Sequence, residues 1–175
     1  MNDIIQAIRT RRSIRKFKPD MPSKEDIQTI VDSGLYAASG MGRQSVITLA
    51  VTNKEMRDRF SHANAAVMGQ GKGTDPFYGA PVVLIVLADK SCPTHVYDGS
   101  LVMGNMLLAA HALGLGSIWI HRAKEEFETP EFKQLLKELG IEGEWEGIGH
   151  CVVGYIDGEV PKATERKPGR VYWIE

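Results

Sequence analysis

The sequence predicts an α/β or α+β fold in which helices cover a central sheet. Helical periodicity dominates roughly the first 40 residues, four apolar or β-branched runs of strand length follow, and helical segments separate most of these runs. The chain has 175 residues, which is long enough for a sizeable core and typical of one domain. We therefore expect a single domain over residues 1–175.

The first half of the chain predicts three helices and one strand. Asp3 can cap a first helix of about two turns that ends near Arg11. Ser23 can cap a second helix, with Asp26 three residues later as its capping partner. The predicted elements are helices at residues 3–11, 24–37 and 54–67 and a β-branched strand at residues 46–52.

A glycine-containing segment at residues 69–76 separates the two halves. Its alternating glycines invite comparison with a phosphate-binding loop, but no apolar strand leads into it and no helix clearly follows it. It also matches neither of the glycine fingerprints of nucleotide-binding proteins. A mobile surface loop, or a lid formed by residues 69–75, is the prediction for this segment.

The second half predicts three more strands and two more helices. The continuous apolar run at residues 82–88 indicates a buried central strand. Asp98 can cap a helix at residues 99–113 that is apolar nearly all round, as is typical of a helix buried in a fold or an interface. The remaining predictions are a short strand at 117–120, a helix begun by Thr129-Pro130 and ended by Gly140, and a long strand at 147–156.

Composition excludes several classes of protein. A formal net charge of −1 argues against a general nucleic-acid binder. The start of the chain lacks the pattern of a signal peptide, and the longest apolar stretch, residues 101–115, is too short and too interrupted to span a membrane. Cys92 and Cys151 form no disulfide or metal pattern. We expect a cytoplasmic protein that binds neither membrane nor nucleic acid and has no metal site.

A run of cations follows the first helix, Arg11-Arg12-Ser13-Ile14-Arg15-Lys16-Phe17. If this run is extended, Arg11, Ser13 and Arg15 share one face and Ile14 points into the protein. Two guanidinium groups beside a hydroxyl suit a phosphate, because each offers paired N–H donors to charged oxygens. The alternative is a solvated basic cluster that the dipole of the preceding helix favours.

The chain has few side chains that could perform demanding chemistry alone. No nucleophile elbow, carboxylate pair or histidine spacing for a metal is present in the sequence. A second cationic pair, Arg166-Lys167, could join the first cluster on one phosphate. This profile is typical of a protein whose cofactor carries the chemistry.

The tail suggests an intertwined dimer. Its apolar end, residues 171–174, follows a connector rich in proline and charge and could add a strand to the sheet of a neighbouring chain.

Several segments, in order along the chain, resemble motifs of the nitroreductase family of flavoproteins. The resemblance is carried by residues 11–17, 38–44, 77–81, 114–120, 154–155 and 166–167. It implies an α+β fold with a mostly antiparallel central sheet flanked by helices, and a homodimer that exchanges its C-terminal tails and binds FMN at the interface. It also implies an oxidoreductase that transfers hydride from NADH or NADPH, via flavin N5, to a small acceptor such as a nitroaromatic or a quinone, in a ping-pong reaction.

The resemblance also implies the residues of the site. Those that would bind the phosphate and ribityl oxygens of FMN are Arg11, Arg12, Ser13 and Arg15, with Arg166 or Lys167 from the tail. Those that would reach the flavin from the partner chain or line the site are Ala38, Ser39, Met41 and Gln44. The backbone around Trp119, Ile120 and His121 would approach the ring. The flavin would carry the chemistry without a catalytic side chain, and His121 is a candidate proton donor or a structural residue.

The chain departs from the family pattern at Gly42, where an Asn is expected, and at His121, where a small or amide residue is common. It also lacks the long insertions that often cover the substrate. These departures leave open a non-catalytic flavin-binding or redox-sensing protein. A module that binds nucleic acid or an acidic partner through residues 9–18 is a more remote alternative.

Overall fold

The computed structural model describes residues 2–71 and 73–175. Four antiparallel strands form one sheet in the order β1-β2-β4-β3, so the expected α+β fold with an antiparallel sheet is confirmed. The elements are α1 (Asp3–Thr10), α2 (Lys24–Leu35), β1 (Val46–Val51), α3 (Lys54–Val67), β2 (Val82–Asp89), α4 (His95–Ala112), β3 (Gly116–Ile120), α5 (Ala123–Glu128), α6 (Pro130–Glu138) and β4 (Trp145–Gly154).

The central strand β2 divides the core into two layers, because successive side chains of a strand point to opposite faces. Leu84 and Val86 pack in a cluster with residues of α2 and α4. Val83 and Ile85 pack on the other face, where α3, α5 and α6 supply three phenylalanines, Phe60, Phe127 and Phe132. The continuous apolar run of β2 therefore reflects burial on both faces of the sheet, as predicted.

Helix starts with a local capping signal were predicted correctly. The Ser23 hydroxyl accepts from the N–H of Asp26, and Thr129 accepts from the N–H of Phe132. At α1 the predicted cap was wrong by one residue, since Asn2 accepts from the N–H of Ile4 and Asp3 is the first helical residue.

The start of α4 was predicted wrongly. The helix begins at His95, and Asp98 lies inside its first turn instead of capping it. Asp98 is buried and accepts hydrogen bonds from the loop before β1, so its carboxylate serves tertiary contacts. The short helix α5 was not predicted, because six residues are too few to give a clear helical period.

The segment after α3 contains neither helix nor strand in its described part, residues 69–71 and 73–76. Lys72 lies outside the described residues. Asp75 fixes the far end of this segment by accepting from Arg57, Ser61 and the N–H groups of Phe77 and Gly79. Burial opposes ionisation of Asp75, but these hydrogen bonds outweigh it and lower its pKa. A role as a lid stays a prediction.

The last part of the chain, residues 157–175, forms neither helix nor strand. The side chains of Val171, Tyr172, Trp173 and Ile174 are between 69% and 99% exposed. Exchange of this tail between two chains remains a prediction. None of the helices within residues 2–71 and 73–175 is both long and apolar enough to cross a bilayer.

Candidate functional site

The cationic run after α1 is extended and lies along the edge strand β3. Ser13 forms a parallel bridge with Ser117, and the N–H of Ile14 donates to the carbonyl of Ser117 at 3.1 Å. Ile14 and Phe17 are buried, at 4% and 7% exposure. The predicted alternation is therefore confirmed for Ile14, which points inward and leaves the residues on either side facing away from the core.

Arg11 has a buried donor with no hydrogen-bond partner among residues 2–71 and 73–175. Its Nη1 is enclosed and unsatisfied, which is costly unless a ligand accepts from it. Arg15 is exposed. Among residues 2–71 and 73–175, neither arginine forms a salt bridge. Unpaired guanidinium groups with a free donor fit an anionic group such as the phosphate of FMN.

Arg12 has a different position from its neighbours. Its Nη1 donates to the carbonyls of Arg9 and Arg11 at 2.8 and 2.7 Å, close to the end of α1. This nitrogen therefore stabilises the turn after the helix, because it donates to backbone carbonyls that have no hydrogen-bond partner within α1.

His111 lies beside this cluster on the last turn of α4. The Thr10 hydroxyl donates to the carbonyl of Gln6, so it must accept from Nε2 of His111, which is 2.9 Å away. Burial, followed by the charges of Arg11 and Arg12, lowers the pKa of His111. The folded protein therefore favours the neutral imidazole more than the unfolded chain does.

The lowered pKa of His111 predicts a specific loss of stability in acid. Because the unfolded chain binds the proton more readily, folding stability should fall as pH drops below about 6.5, the ordinary histidine value. His111→Gln keeps a donor for Thr10 and should flatten this part of the profile. Urea unfolding of the FMN-free protein between pH 5 and 8 measures it, with the exposed His62→Gln as control. Equal slopes for wild type and His111→Gln would contradict the assignment.

The C-terminal end of β3 forms the second part of the site. Ser117 and Ile120 are three residues apart, roughly 10 Å of extended chain. The carbonyl of Ile120 lies 3.3 Å from Nδ1 of His150, and the carbonyl of His121 accepts from Asn64 at 2.9 Å. The backbone expected to approach the flavin ring is thus held by side chains from α3 and β4, while the His121 side chain is exposed.

Trp119 contributes to this part of the site mainly by packing against β4. Its side chain is 36% exposed, and its indole lies against Gly149 of β4. A Cβ at Gly149 would be 2.1 Å from Nε1 of Trp119, so only glycine leaves room for the indole there.

The loop after α2 is held in an unusual conformation by α4. Met41 and Gln44 have φ values of 53° and 50°, which non-glycine residues adopt at some cost. Asp98 holds this loop by accepting from the N–H of Gly40 at 3.0 Å and from the hydroxyl of Ser45 at 3.1 Å. Burial opposes ionisation of Asp98, but hydrogen bonds from Gly40, Thr94 and Ser45 outweigh it and lower its pKa.

One chain brings together only part of the expected site. The cationic run and the end of β3 share one edge of the sheet. Ala38, Ser39 and Gln44 instead line a separate cavity of about 210 Å³ with Asp98, and Met41 is 82% exposed. Arg166 and Lys167 are exposed on the tail. The expectation that these residues reach the flavin from a partner chain or line the site stays a prediction.

The buried residues beneath the end of β3 were missed in the sequence. Asn64, Glu126 and His150 come from α3, α5 and β4, and no spacing in the sequence connects them. His150, a polar residue inside an apolar strand, was the one available signal in the sequence.

Residues 2–71 and 73–175 include two free, buried cysteines, Cys92 and Cys151. No group of three or more His, Cys, Asp or Glu side chains is arranged to hold a metal ion there. Cys151 is fully buried, and burial raises the pKa of its thiol to about 12.

Comparison with known proteins places this geometry in a family. Residues 8–155 match the model of the Nitroreductase family. A Methanothermobacter thermautotrophicus protein, named for NADH dehydrogenase and NAD(P)H nitroreductase activity, is 34% identical over 123 residues, which are 67% of this chain but only 60% of that protein. An iodotyrosine deiodinase of Thermotoga neapolitana is 26% identical over 180 residues, or 93% of each chain.

A solved structure extends the similarity to the whole fold. The crystal structure of a nitroreductase with bound FMN from Bacteroides fragilis has a TM-score of 0.88 at 27% identity, with 100% of both chains covered. Since the family model covers most of the sequence and the fold agrees throughout its length, the chain belongs to the nitroreductase family.

Proposed function

We propose that this protein is an FMN-dependent oxidoreductase that uses NADH or NADPH to reduce a small acceptor such as a nitroaromatic or a quinone. The observation that carries the proposal is the buried, unpartnered Nη1 of Arg11, in a cationic run aligned with β3. The FMN in the Bacteroides fragilis structure and the name of the Methanothermobacter relative support the same cofactor and electron donor.

The residues of the cationic run fit the phosphate end of FMN. Arg11 and Arg15 would hold the phosphate, Ser13 would add a hydroxyl, and Arg12 would keep the turn in place through its bonds to backbone carbonyls. Arg166 or Lys167 would add positive charge from the tail. Acceptance and delivery of hydride, in a ping-pong sequence, would be the contribution of bound FMN.

The rest of the chain would shape the ring end of the site. The backbone of Ile120 and His121 would approach the ring from the end of β3. Residues 38–44 would reach the site of the partner chain, which is consistent with their separation from Arg11 in a single chain. A Cβ at Gly42 would meet nothing within 4 Å, so the loop would leave space for acceptors of several classes.

A homodimer would account for a surface that is more extensive than that of a compact monomer. The chain exposes 10,851 Å², whereas a compact monomer of 19.3 kDa exposes about 8,500 Å². Helix α1 has no buried residue, and its isoleucines Ile4, Ile5 and Ile8 are 64%, 44% and 57% exposed. A second copy of this chain would cover α1 and receive the apolar tail.

Removal of residues 171–175 should weaken the dimer at least tenfold. The four apolar side chains of this segment are 69–99% exposed in one chain, so their burial on a partner would stabilise the dimer. Sedimentation velocity over a dilution series measures the dissociation constant, with deletion of Glu175 alone as control. Equal dissociation constants for the truncated and the full chain would show that the tail is not exchanged.

The activity is tested by stopped-flow mixing of the FMN-loaded protein with NADH and with NADPH. We expect rapid loss of flavin absorbance with at least one of them, followed by reoxidation on addition of a nitroaromatic or a quinone. Slow bleaching with both donors would overturn the enzymatic proposal and favour a flavin-binding or redox-sensing protein.

A further inference from the structure

A fully buried polar network lies beneath the end of β3. Glu126 and His150 each have 0% exposure, and Oε2 of Glu126 lies 3.0 Å from Nε2 of His150. Asn64, also at 0% exposure, donates to Oε1 of Glu126 at 2.6 Å and to the carbonyl of His121 at 2.9 Å. Asn64 and His150 thus contact one short stretch of backbone, and Glu126 links the two side chains.

The hydrogen bonds determine where the protons of this network lie. Arg122 donates through Nε to Oδ1 of Asn64, which leaves the Asn64 amide nitrogen to donate to its other two partners. A carbonyl can only accept, so His150 must carry a proton on Nδ1 to bond the carbonyl of Ile120. Nε2 of His150 and Oε2 of Glu126 then share one further proton. Every one of these buried polar side chains is satisfied, as a structural network requires.

The network determines the direction of two backbone N–H groups. In a trans peptide the N–H points away from the preceding carbonyl, and no cis peptide is present in the described residues. Because the carbonyls of Ile120 and His121 point into the network, the N–H groups of His121 and Arg122 point away from it. Outside the strand pairing, neither N–H donates a hydrogen bond within residues 2–71 and 73–175.

The backbone of Arg122, at the end of this stretch, has a strained conformation that neighbouring contacts must stabilise. Arg122 has a φ of 80°, a left-handed conformation that is unusual for a residue with a long side chain. Its bond to Asn64 ties the strained residue to the same network. Strain of this kind persists where surrounding contacts hold the residue in its conformation, and it is often found at functional sites.

We propose that His150, Glu126 and Asn64 are positioning residues that present the N–H groups of His121 and Arg122 as fixed hydrogen-bond donors to a bound flavin. This inference rests on the proposed function. Donors held in place before the reaction stabilise charge that develops in it, because they need not reorganise. The network would therefore favour the reduced, more electron-rich flavin over the oxidised flavin.

Two substitutions of His150 separate this role from simple packing. His150→Asn keeps a donor at the position of Nδ1 and should still hold the carbonyl of Ile120. His150→Gln keeps a polar group at the position of Nε2, next to Glu126, but should release that carbonyl. Asn64→Leu, which is close in volume but has no donor, provides a second test in case His150→Gln does not fold.

The first measurement uses the FMN-free protein. NMR relaxation should report order parameters near 0.85 for the His121 and Arg122 amides in wild type and His150→Asn. Values below about 0.6 are expected in His150→Gln and Asn64→Leu. Unchanged order parameters in both disrupted variants would show that the network does not hold this backbone, whatever the protein binds.

The second measurement is the two-electron midpoint potential of the FMN-loaded protein. We expect His150→Gln and Asn64→Leu to lose about tenfold in preference for reduced over oxidised FMN, which corresponds to roughly 30 mV, while His150→Asn stays close to wild type. Equal potentials in all four proteins would overturn the inference but leave the proposed function intact. Failure of wild type to take up FMN would overturn both.

Discussion

Replacement of Arg11 or Arg15 with alanine should weaken FMN binding by about 1.5–3 kcal/mol, or roughly ten- to more than a hundredfold. Arg11 has a buried Nη1 without a partner in the described protein, and neither guanidinium forms a salt bridge there, so no carboxylate competes with a phosphate for either arginine. Loss of either would remove charged hydrogen bonds to the ligand. Quenching of flavin fluorescence on binding measures the affinity.

Arg59→Ala is the matched control for these variants. Arg59 is an arginine of α3 that pairs with Glu131 of α6. Its loss should leave FMN affinity within twofold of wild type. If Arg11→Ala and Arg15→Ala both bind FMN as tightly as the control does, the phosphate is held elsewhere and the assignment of the cationic run is wrong.

Gly147→Ala should destabilise the protein by about 3 kcal/mol or more, because the added Cβ would collide with the backbone of α5. A Cβ at Gly147 would lie 2.2 Å from the carbonyl oxygen of Ala123 and 2.7 Å from the nitrogen of Lys124. These atoms belong to the first turn of α5, which must move away from β4 to make room. The same shift would displace Glu126 from His150, so FMN binding should weaken as well.

The stability change is measured by urea unfolding at one fixed protein concentration, since a dimer is stabilised by mass action. Gly71→Ala is the control, because a Cβ there meets nothing within 4 Å and its φ is not in the left-handed region. That variant should lie within about 0.5 kcal/mol of wild type. A loss below 1 kcal/mol for Gly147→Ala would show that α5 does not pack on β4 as described.

Local signals in the sequence were sufficient for much of the fold. Ser23 and Thr129 cap helices through their own first turns, and β2 is apolar because both of its faces are covered. Such features depend on neighbours within a few residues or on burial alone. They can therefore be predicted from composition and period.

Features that depend on distant residues were wrong or missed. Asp98 has the chemistry of a helix cap, but its carboxylate binds Gly40 and Ser45, more than 50 residues earlier in the chain. The same holds for the candidate site. The alternation around Ile14 could be predicted, whereas the bonds of Arg12 to carbonyls and the buried contact of Glu126 with His150 depend on tertiary structure.

The most direct test of the central claim is a comparison of FMN with riboflavin, which lacks the phosphate, by calorimetric titration into the FMN-free protein. If the cationic run of Arg11, Ser13 and Arg15 holds the phosphate, FMN should bind with one molecule per chain and at least a hundredfold more tightly than riboflavin. Equal affinities for the two flavins, or no uptake of FMN, would contradict the account.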